Sequence, residues 1–585
     1  VEIENVHRHM RMGKKPLQAA MQAVNEIGLA VIATTLVICA VFMPISFMGG
    51  VVGQYFRQFG LTVATAAMFS LLVARLITPL LAAYFLQAPP EEHIGKVSSL
   101  SLRYQALVRW TLDHRWTTVA LAILSLFRAF GMIPYLSTGL FPYEDYSQSI
   151  ANVETPRGST LEQTDAATQC VVQILKQRPE VDYVLSSVGQ AAGGINRATL
   201  MIKLLPRKQR ALDQRAFEAA TIQALQQLPD IRVAFANAWG MKDVSIALLS
   251  DDLQALQTAA RNVERDMRGI TGLASVTNSA SQQQPELVVV PDFAKAAQLG
   301  VSVEAINDAI SVAMIGDLDT QLAKFNYGAH QIPIRVRLPR QNGNAVAMLQ
   351  NLRVSTNGGI SVPLSTVVSL RYDVGPTQLD RYDRQRKVAL EANLAGIPLG
   401  DALAKINALP SMQQLPAGVT MQNTGDAEMM DDLFKGFSAA IIAGLLMVYA
   451  IQVLLYKDWL HPLTRMAALP LSIGGAFFML LVTGTEMNMP ALIGILMLMG
   501  IADKNAILLV DHMLVSIKNG MPTRDAIVLA CSVRARPILM TSLAMLAGML
   551  PVAFHLGLDT GFRAPMAIAV IGGLISSTLL SLVFV

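Results

Sequence analysis

Long apolar runs crowd the two ends of the chain, and a mixed polar stretch separates them. A hydrocarbon layer ~30 Å thick is crossed by about 20 apolar residues in helical form. Eight segments reach that length: 27–47, 59–86, 116–136, 435–455, 464–484, 490–514, 537–556 and 565–585. Several contain Gly or Pro, which membrane helices tolerate because neighbouring groups re-satisfy the freed backbone. Between them the period changes. Leu200–Leu204, Val244–Leu248 and Glu286–Val290 read as strands. Residues 160–177, 214–227 and 253–267 carry apolar positions at three- and four-residue steps and read as helices. Strands separated by helices, with a β-rich insertion around 286–377, predict small α/β subdomains rather than one sandwich. Segment 87–115 contains Leu102, Leu107 and Trp110 at helical spacing with Arg103 and Arg109 between them. That pattern suits a helix lying along a membrane surface, with a soluble linker helix as the alternative. The fold class is therefore a polytopic α-helical membrane protein with a large α/β region, divided into 1–86, 87–115, 116–138, 139–430 and 431–585.

Composition agrees: 585 residues that are 52% hydrophobic and 15% charged do not describe an ordinary soluble protein. The net charge of +4 says little, but its distribution says more. Arg8, Arg11, Lys14 and Lys15 fall in one loop, and Lys96, Arg103, Arg109 and Arg115 in another. Lys457 with Arg465, then Lys518, Arg524, Arg534 and Arg536, follow the same alternation. The intervening short loops carry Arg57, nothing at 485–489, and Arg563. Positive-inside counting makes the basic set cytoplasmic and puts 139–430 on the opposite, periplasmic side. These clusters flank spans and lack interleaved aromatics, so no nucleic-acid partner is expected. Three cysteines make no disulfide framework. Only nine of the 29 methionines fall in 139–430, so most are packing or lipid-facing residues rather than soft-metal ligands, and metal export is a lesser alternative. No GxxxxGK[ST] stretch supports ATP as direct energy source, and no nucleophile elbow or zincin spacing supports an enzyme. The chain begins without Met and ends inside an apolar run, which reads as a piece of a longer protein.

Pro16 to Thr35 spans the same nineteen-residue interval as Pro522 to Thr541, and Met43-Pro44 with Phe56-Arg57 echoes Leu550-Pro551 with Phe562-Arg563. Segments 16–86 and 522–585 thus read as equivalent parts of two homologous halves, a known transporter architecture. In that register Glu4 falls opposite Asp511 after a one-residue gap, and the counterpart of Asp503-Lys504-Asn505 falls just before Val1. Lys504 lies fourteen residues past Pro490, ~21 Å along a helix, and so sits inside the apolar layer. A lone Lys or Asp there costs roughly 2.5–3.5 kcal/mol, so such residues face a partner or a water-filled path. Asp503 is a candidate for the same site, although adjacent helical positions point ~100° apart. With no other acid well inside the eight segments, the expected carboxylate opposite Lys504 lies on a helix upstream of Val1. Snorkelling or static helix locking is the alternative for Lys504. Arg128 is a second charge within a span and has no evident partner.

Glu4-Asn5-Val6, Phe42-Met43-Pro44, Phe141-Pro142-Tyr143-Glu144-Asp145, Lys504-Asn505-Ala506-Ile507-Leu508 and Arg536-Pro537-Ile538-Leu539-Met540-Thr541, taken in order, resemble the resistance–nodulation–division pumps. The hydrophobe and amphiphile (multidrug) exporter branch of Gram-negative bacteria is the nearest. The resemblance runs from the end of the fourth span into the twelfth. It implies proton-coupled export of small amphiphilic substrates, driven by proton-motive force without a cofactor. It also implies a homotrimer or heterotrimer in membrane lipid, with a periplasmic adaptor (membrane fusion protein) and an outer-membrane channel as partners. By that match Lys504 is the relay lysine, Thr541 the relay threonine and Arg534 the supporting arginine, with the family's Asp pair falling before Val1. It further implies a first porter subdomain at 139–250, a second at 251–285 with 378–430, and a docking or funnel insertion at 286–377. Gly189, Gln190, Ala192, Gly193, Gly194 and Asn196 match a Gly-rich loop between drug pockets, with Leu185 and Leu200 beside it. Leu185, Gln190, Ala192 and Leu200 stand where multidrug members carry Phe, which reduces stacking on drugs. A protein-secretion or lipid-handling member of the same superfamily is the runner-up.

Overall fold

The computed structural model describes all residues except Val1, 87–98, 157, 190–193, 226, 238–239, 282, 315, 317–322, 335–344, 377–378, 557–559 and 585. The first helices are α1 (Glu2–Arg11), α2 (Pro16–Ser46), α3 (Gly50–Leu72), α4 (Thr78–Phe85), α5 (Ser99–Asp113) and α6 (Arg115–Met132). Pro16 starts α2, where its missing N–H costs nothing. A π turn at Val73–Ile77 joins α3 to α4 in one long span. After the α/β region come α16 (Asp426–Tyr456), α17 (His461–Met466), α18 (Ala468–Thr483), α19 (Met489–Lys518), α20 (Thr523–Ala553) and α21 (Thr560–Phe584), the α/β helices being α7 to α15. Eight of these helical runs are long and apolar enough to cross a membrane, matching the eight predicted segments. The α20 span begins before its predicted 537 because Arg524, Asp525, Arg534 and Arg536 continue the helix with polar positions.

α19 is the axis of the bundle: 83% of its most apolar window is buried, against 6% for α6. Asn488 caps it by accepting from Ala491 N–H at 3.1 Å, with Pro490 in the first turn. α18 and α21 pack backbone to backbone, and a Cβ on Gly572 would lie 2.4 Å from the Gly475 carbonyl oxygen. Small residues allow such approach where no hydrophobic force brings helices together. α5 is more than a surface helix. Val108 joins Leu509, Cys531, Ile538 and Leu582 in one core, and Tyr104 Oη donates to Leu582 O at 2.9 Å. The three cysteines are free.

In the α/β region, β1 (Gln148–Glu154), β2 (Val181–Val188), β3 (Arg197–Leu204) and β4 (Arg232–Ala236) form one antiparallel sheet in the order β2-β3-β1-β4. α7 (Leu161–Lys176) and α8 (Gln214–Leu225) cover it, and Thr160 closes a capping box with Gln163 at the start of α7. The next strands are β5 (Val244–Ser250) and β6 (Leu273–Asn278), separated by α9 (Leu253–Met267). With β13 (Arg381–Tyr382), β14 (Gln385–Leu394) and β15 (Thr420–Thr424) they make a second sheet ordered β13-β14-β5-β15, with β6 on β14. All these strand and helix readings agree with the periodicity. Two boundaries differ. β5 pairs with β14 and β15, so the second unit begins before residue 250. The 285/286 division falls inside β7 (Gln283–Pro291), which pairs along its length with β12 (Val368–Pro376) as a ribbon. That ribbon leads to a small separate core containing Ile306, Val354 and Leu364.

The two sheets are anchored differently. Val244, Ile246 and Leu248 share one continuous core with Ala427, Met430 and Leu433 of α16, so the second sheet is rooted in the membrane bundle. Gly425, in a positive-φ conformation, turns β15 directly into α16. The first sheet has a core of its own.

Candidate functional site

Lys504 occupies the middle of α19 and opens onto an intramembrane cavity of about 360 Å³. Glu2 and Ile3 of α1, Thr34, Thr35 and Ile38 of α2, Ser70 and Ala74 of the bulged α3–α4 span, Leu508 and Thr541 of α20 are among the residues that line it. The hydroxyls are turned back on their own helices: Thr541 Oγ1 donates to Ile538 O at 3.0 Å, and Thr34 and Thr35 both donate to Val31 O. Glu2 is buried, and neither carboxylate oxygen has a hydrogen-bond partner among the described residues. Arg75, carried inward on the π turn, donates to Val24 O at 2.7 Å and lies close enough to act on the Glu2 charge. The cavity therefore gathers one acid, Lys504 and a nearby guanidinium in the apolar layer.

Sequence reasoning named Lys504 and Thr541 for one site, and the fold brings them together. It missed Glu2, which precedes the first apolar segment, and Arg75, which interrupts the second. Arg75 was detectable by the same cost argument that singled out Lys504. Arg534 is not in the cavity wall. It is buried seven residues toward the basic loops from Thr541, within electrostatic reach of Arg8, Glu26, Glu4 and Asp511. There Glu26 accepts from Asn5 at 3.3 Å, bonds His9 Nε2 at 2.7 Å and pairs with Arg8. Glu4 and Asp511, opposite one another in the repeat, thus lie around the same arginine. Asp503 faces away from the cavity, as a 100° step predicts, and accepts from Gln452 Nε2 at 2.6 Å. Arg128 is exposed on α6, the outermost of the helices on α18.

In the α/β region Gly189 adopts φ +91° and donates to Arg197 O at 2.9 Å, closing the β2–β3 hairpin. Asn196 Nδ2 donates to Thr155 O at 3.1 Å, and Gly194 N–H points back to Gly189 O. Gln190, Ala192 and Gly193 lie outside the described residues. Leu185 is 59% exposed, whereas Leu200 is fully buried beneath the helices. The two lie on opposite faces, because Leu185 pairs with Met201 and strand neighbours alternate sides. Leu200 is a core residue and not a pocket wall.

A cleft of about 1050 Å³ separates the two sheets, lined by Glu154, Arg197, Arg232, Lys242, Lys387, Glu391 and Asp426 among others. Lys242 Nζ donates to Ser275 O at 2.9 Å and to Thr277 Oγ1 at 2.5 Å, and burial lowers its pKa from the usual 10.5. The Tyr143-Glu144-Asp145 stretch braces the first sheet. Asp145 pairs with buried Arg210 and accepts from Ser147 N–H and Gln214 N–H at 3.0 and 3.1 Å. Tyr143 accepts from Arg215 N–H at 2.9 Å with the Arg215 guanidinium over its ring, and burial pushes its phenol up to about 12.

Among the described residues, seven candidate spans around a buried, lysine-bearing eighth, with α/β units on the bundle, define a multi-pass membrane transporter of the resistance–nodulation–division class. Residues 1–585 match the AcrB/AcrD/AcrF family, and the chain belongs to it.

Proposed function

We propose that this chain is the inner-membrane part of a tripartite pump that exports small amphiphilic or hydrophobic compounds in exchange for protons. The observation that carries the reading is the shared cavity of Lys504, Thr541 and Glu2. Charges this deep are unfavourable by roughly 2.5–3.5 kcal/mol each, so they persist where they carry protons or ions. In this reading Lys504 is the relay cation, its charge balanced by a protonatable carboxylate on the α1 side, where Glu2 is one such group. Thr541 supplies a hydroxyl that can pass a proton once it turns from Ile538 O. Arg534 holds a positive potential where the relay meets the basic loops. Proton exchange changes the charge between α19 and α1, and the resulting helix movement reaches the second sheet through α16. The first sheet, with its separate core, then opens and closes the cleft. That cleft, the Gly189–Asn196 hairpin and exposed Leu185 form the substrate route in the periplasm. Family members generally form trimers with an adaptor and an outer-membrane channel as partners.

The test is Lys504→Met in the full-length protein. A deletion strain carrying it is challenged with a panel of amphiphilic dyes and detergents, and trimer assembly is followed in parallel. Loss of resistance to the level of the empty strain, with trimers intact, is expected; wild-type resistance refutes the relay.

A further inference from the structure

Asp503 lies one residue from Lys504 and belongs to a different place. It sits between α16, α17 and α19 with no exposed surface. Fourteen residues separate it from Met489 and fifteen from Lys518, about 21 and 22 Å of helix, so it is near the middle of the span. Its Oδ2 accepts from Gln452 Nε2 at 2.6 Å, and its Oδ1 has no partner among the described residues. Arg465 of α17 is also without exposed surface. Its guanidinium lies 3.7 Å from the centroid of the Tyr456 ring, and none of its three nitrogens has a hydrogen-bond partner there. Gln452 Oε1 is likewise buried without a hydrogen-bond partner among the described residues, and Tyr456 Oη is buried beside the Arg465 guanidinium.

A carboxylate oxygen and a guanidinium are therefore buried in one place and, among the described residues, are not joined in a hydrogen bond. Leaving a buried polar group unsatisfied is costly, and a static lock between helices would use such groups up in a direct ion pair. A carboxylate held through one oxygen, with the other free and a cation near but not bonded, is arranged to change its charge. The surrounding charges fit this. Arg465 is the cation that acts on Asp503, and it also acts on Asp511, eight residues or about 12 Å further along α19. α18 contributes no ionisable side chain. Arg534 of α20 and Glu26 of α2 act on Asp511; Arg524, Asp525, Cys531 and Arg536 are the other ionisable residues of α20, and Arg563 of α21 stands at that helix's opposite end. Asp511, Arg465 and Asp503 thus form a ladder from the basic-loop end to the middle of the span.

We propose that Asp503 is a second proton-carrying site, separate from the Lys504 cavity and balanced by Arg465. One proton from the aqueous phase binds Oδ1 and cancels the carboxylate charge. The same proton leaves from Oδ1 and restores it, and no other bond is made or broken. With the proton bound, Arg465 stays on Tyr456; with it gone, the guanidinium is drawn to Asp503, which moves α17 against α19. The inference rests on the proposed proton coupling for its use in transport, but not for its existence.

Infrared difference spectra of the full-length protein in lipid bilayers test it. The pH is raised from about 5 to 8, above the ordinary carboxyl range. The wild type is expected to lose a buried-carboxyl C=O band that shifts on ¹³C labelling of aspartate. Asp503→Asn should lack that band, Lys504→Met should keep it, and Arg465→Gln should keep it protonated across the whole range. A spectrum of Asp503→Asn identical to wild type overturns the proposal, since Asp503 then keeps one charge state across the range and serves as a fixed part of the helix contact. If Asp503→Asn fails to fold, Asp503→Glu replaces it. Its band must then respond to ¹³C-glutamate and no longer to ¹³C-aspartate, and a band unchanged in label response overturns the proposal equally. Normal export by Lys504→Met with the Asp503 band intact removes the Lys504 relay and leaves this site standing.

Discussion

Gly572→Ala is a one-carbon test of how the bundle is held together. The added Cβ would meet the Gly475 carbonyl oxygen at 2.4 Å and Met479 Cβ at 2.4 Å, where ordinary contact begins at 3.4 Å. The shortfall is 3.4 − 2.4 = 1.0 Å, and both obstacles belong to α18. One is backbone and the other the root of a side chain, so neither can rotate away. α18 and α21 must separate by about that distance along a face where they now touch continuously. A gap of 0.5–1 Å forfeits roughly a quarter to a half of each dispersion contact, and forced overpacking typically costs about 1–3 kcal/mol. The control is Gly548→Ala on α20, where an added Cβ meets nothing within 4 Å and helix propensity improves by up to about 1 kcal/mol. Thermal unfolding of both variants in detergent, followed by fluorescence-detected size exclusion, should place Gly572→Ala clearly below wild type and Gly548→Ala at or above it. Equal melting of the two refutes close helix approach as a source of stability.

Two further outcomes concern the α/β region. Asp145→Ala leaves Arg210, whose side chain has no exposed surface, without its counter-charge. A broken buried pair costs about 3–5 kcal/mol, so hydrogen exchange in β1 and β3 should accelerate while the second sheet, with its different core, stays protected. For Lys242 the sign follows from its lowered pKa. The unfolded chain binds the proton more tightly, so folding stability rises with pH between the folded value and 10.5. Protection of β6 should therefore increase toward alkaline pH in the wild type, and Lys242→Met should flatten that slope. An unchanged slope in the variant would assign the pH effect to another group.

The membrane half was legible because two independent signals agree on it. Apolar length located all eight candidate spans found among the described residues, and the cost of burying charge singled out Lys504 before any neighbour was known. What stayed hidden is what depends on which surfaces meet. β5 has the alternation of a strand in either sheet, and only its pairing with β14 and β15 assigns it. Leu200 and Leu185 read alike as apolar residues near a loop, yet strand parity buries one and exposes the other. The cleft charges were invisible for the same reason, because Arg197, Lys242 and Lys387 come from strands and loops far apart in the chain. Glu2 escaped because hydropathy cannot see that a short polar helix has been drawn against Lys504.

On the two readings proposed above, α19 serves two sites at once. A helical step of about 100° separates consecutive side chains, so Asp503 and Lys504 face different neighbours although they share a peptide bond. On one side α1, α2 and α20 enclose the lysine with Glu2 and Thr541; on the other, α16 and α17 enclose the aspartate with Gln452 and Arg465. A change of charge on either face pushes or pulls the same rigid rod, most of whose surface is already in contact. Interiors this closely packed transmit displacement rather than absorb it. In the proposed coupling α16 receives that displacement through Gln452 and carries it to the second sheet, because its first turns and β5 belong to one core. Among the described residues the first sheet has a separate core, so on the proposed coupling the cleft between them is where movement of α19 becomes a change in shape.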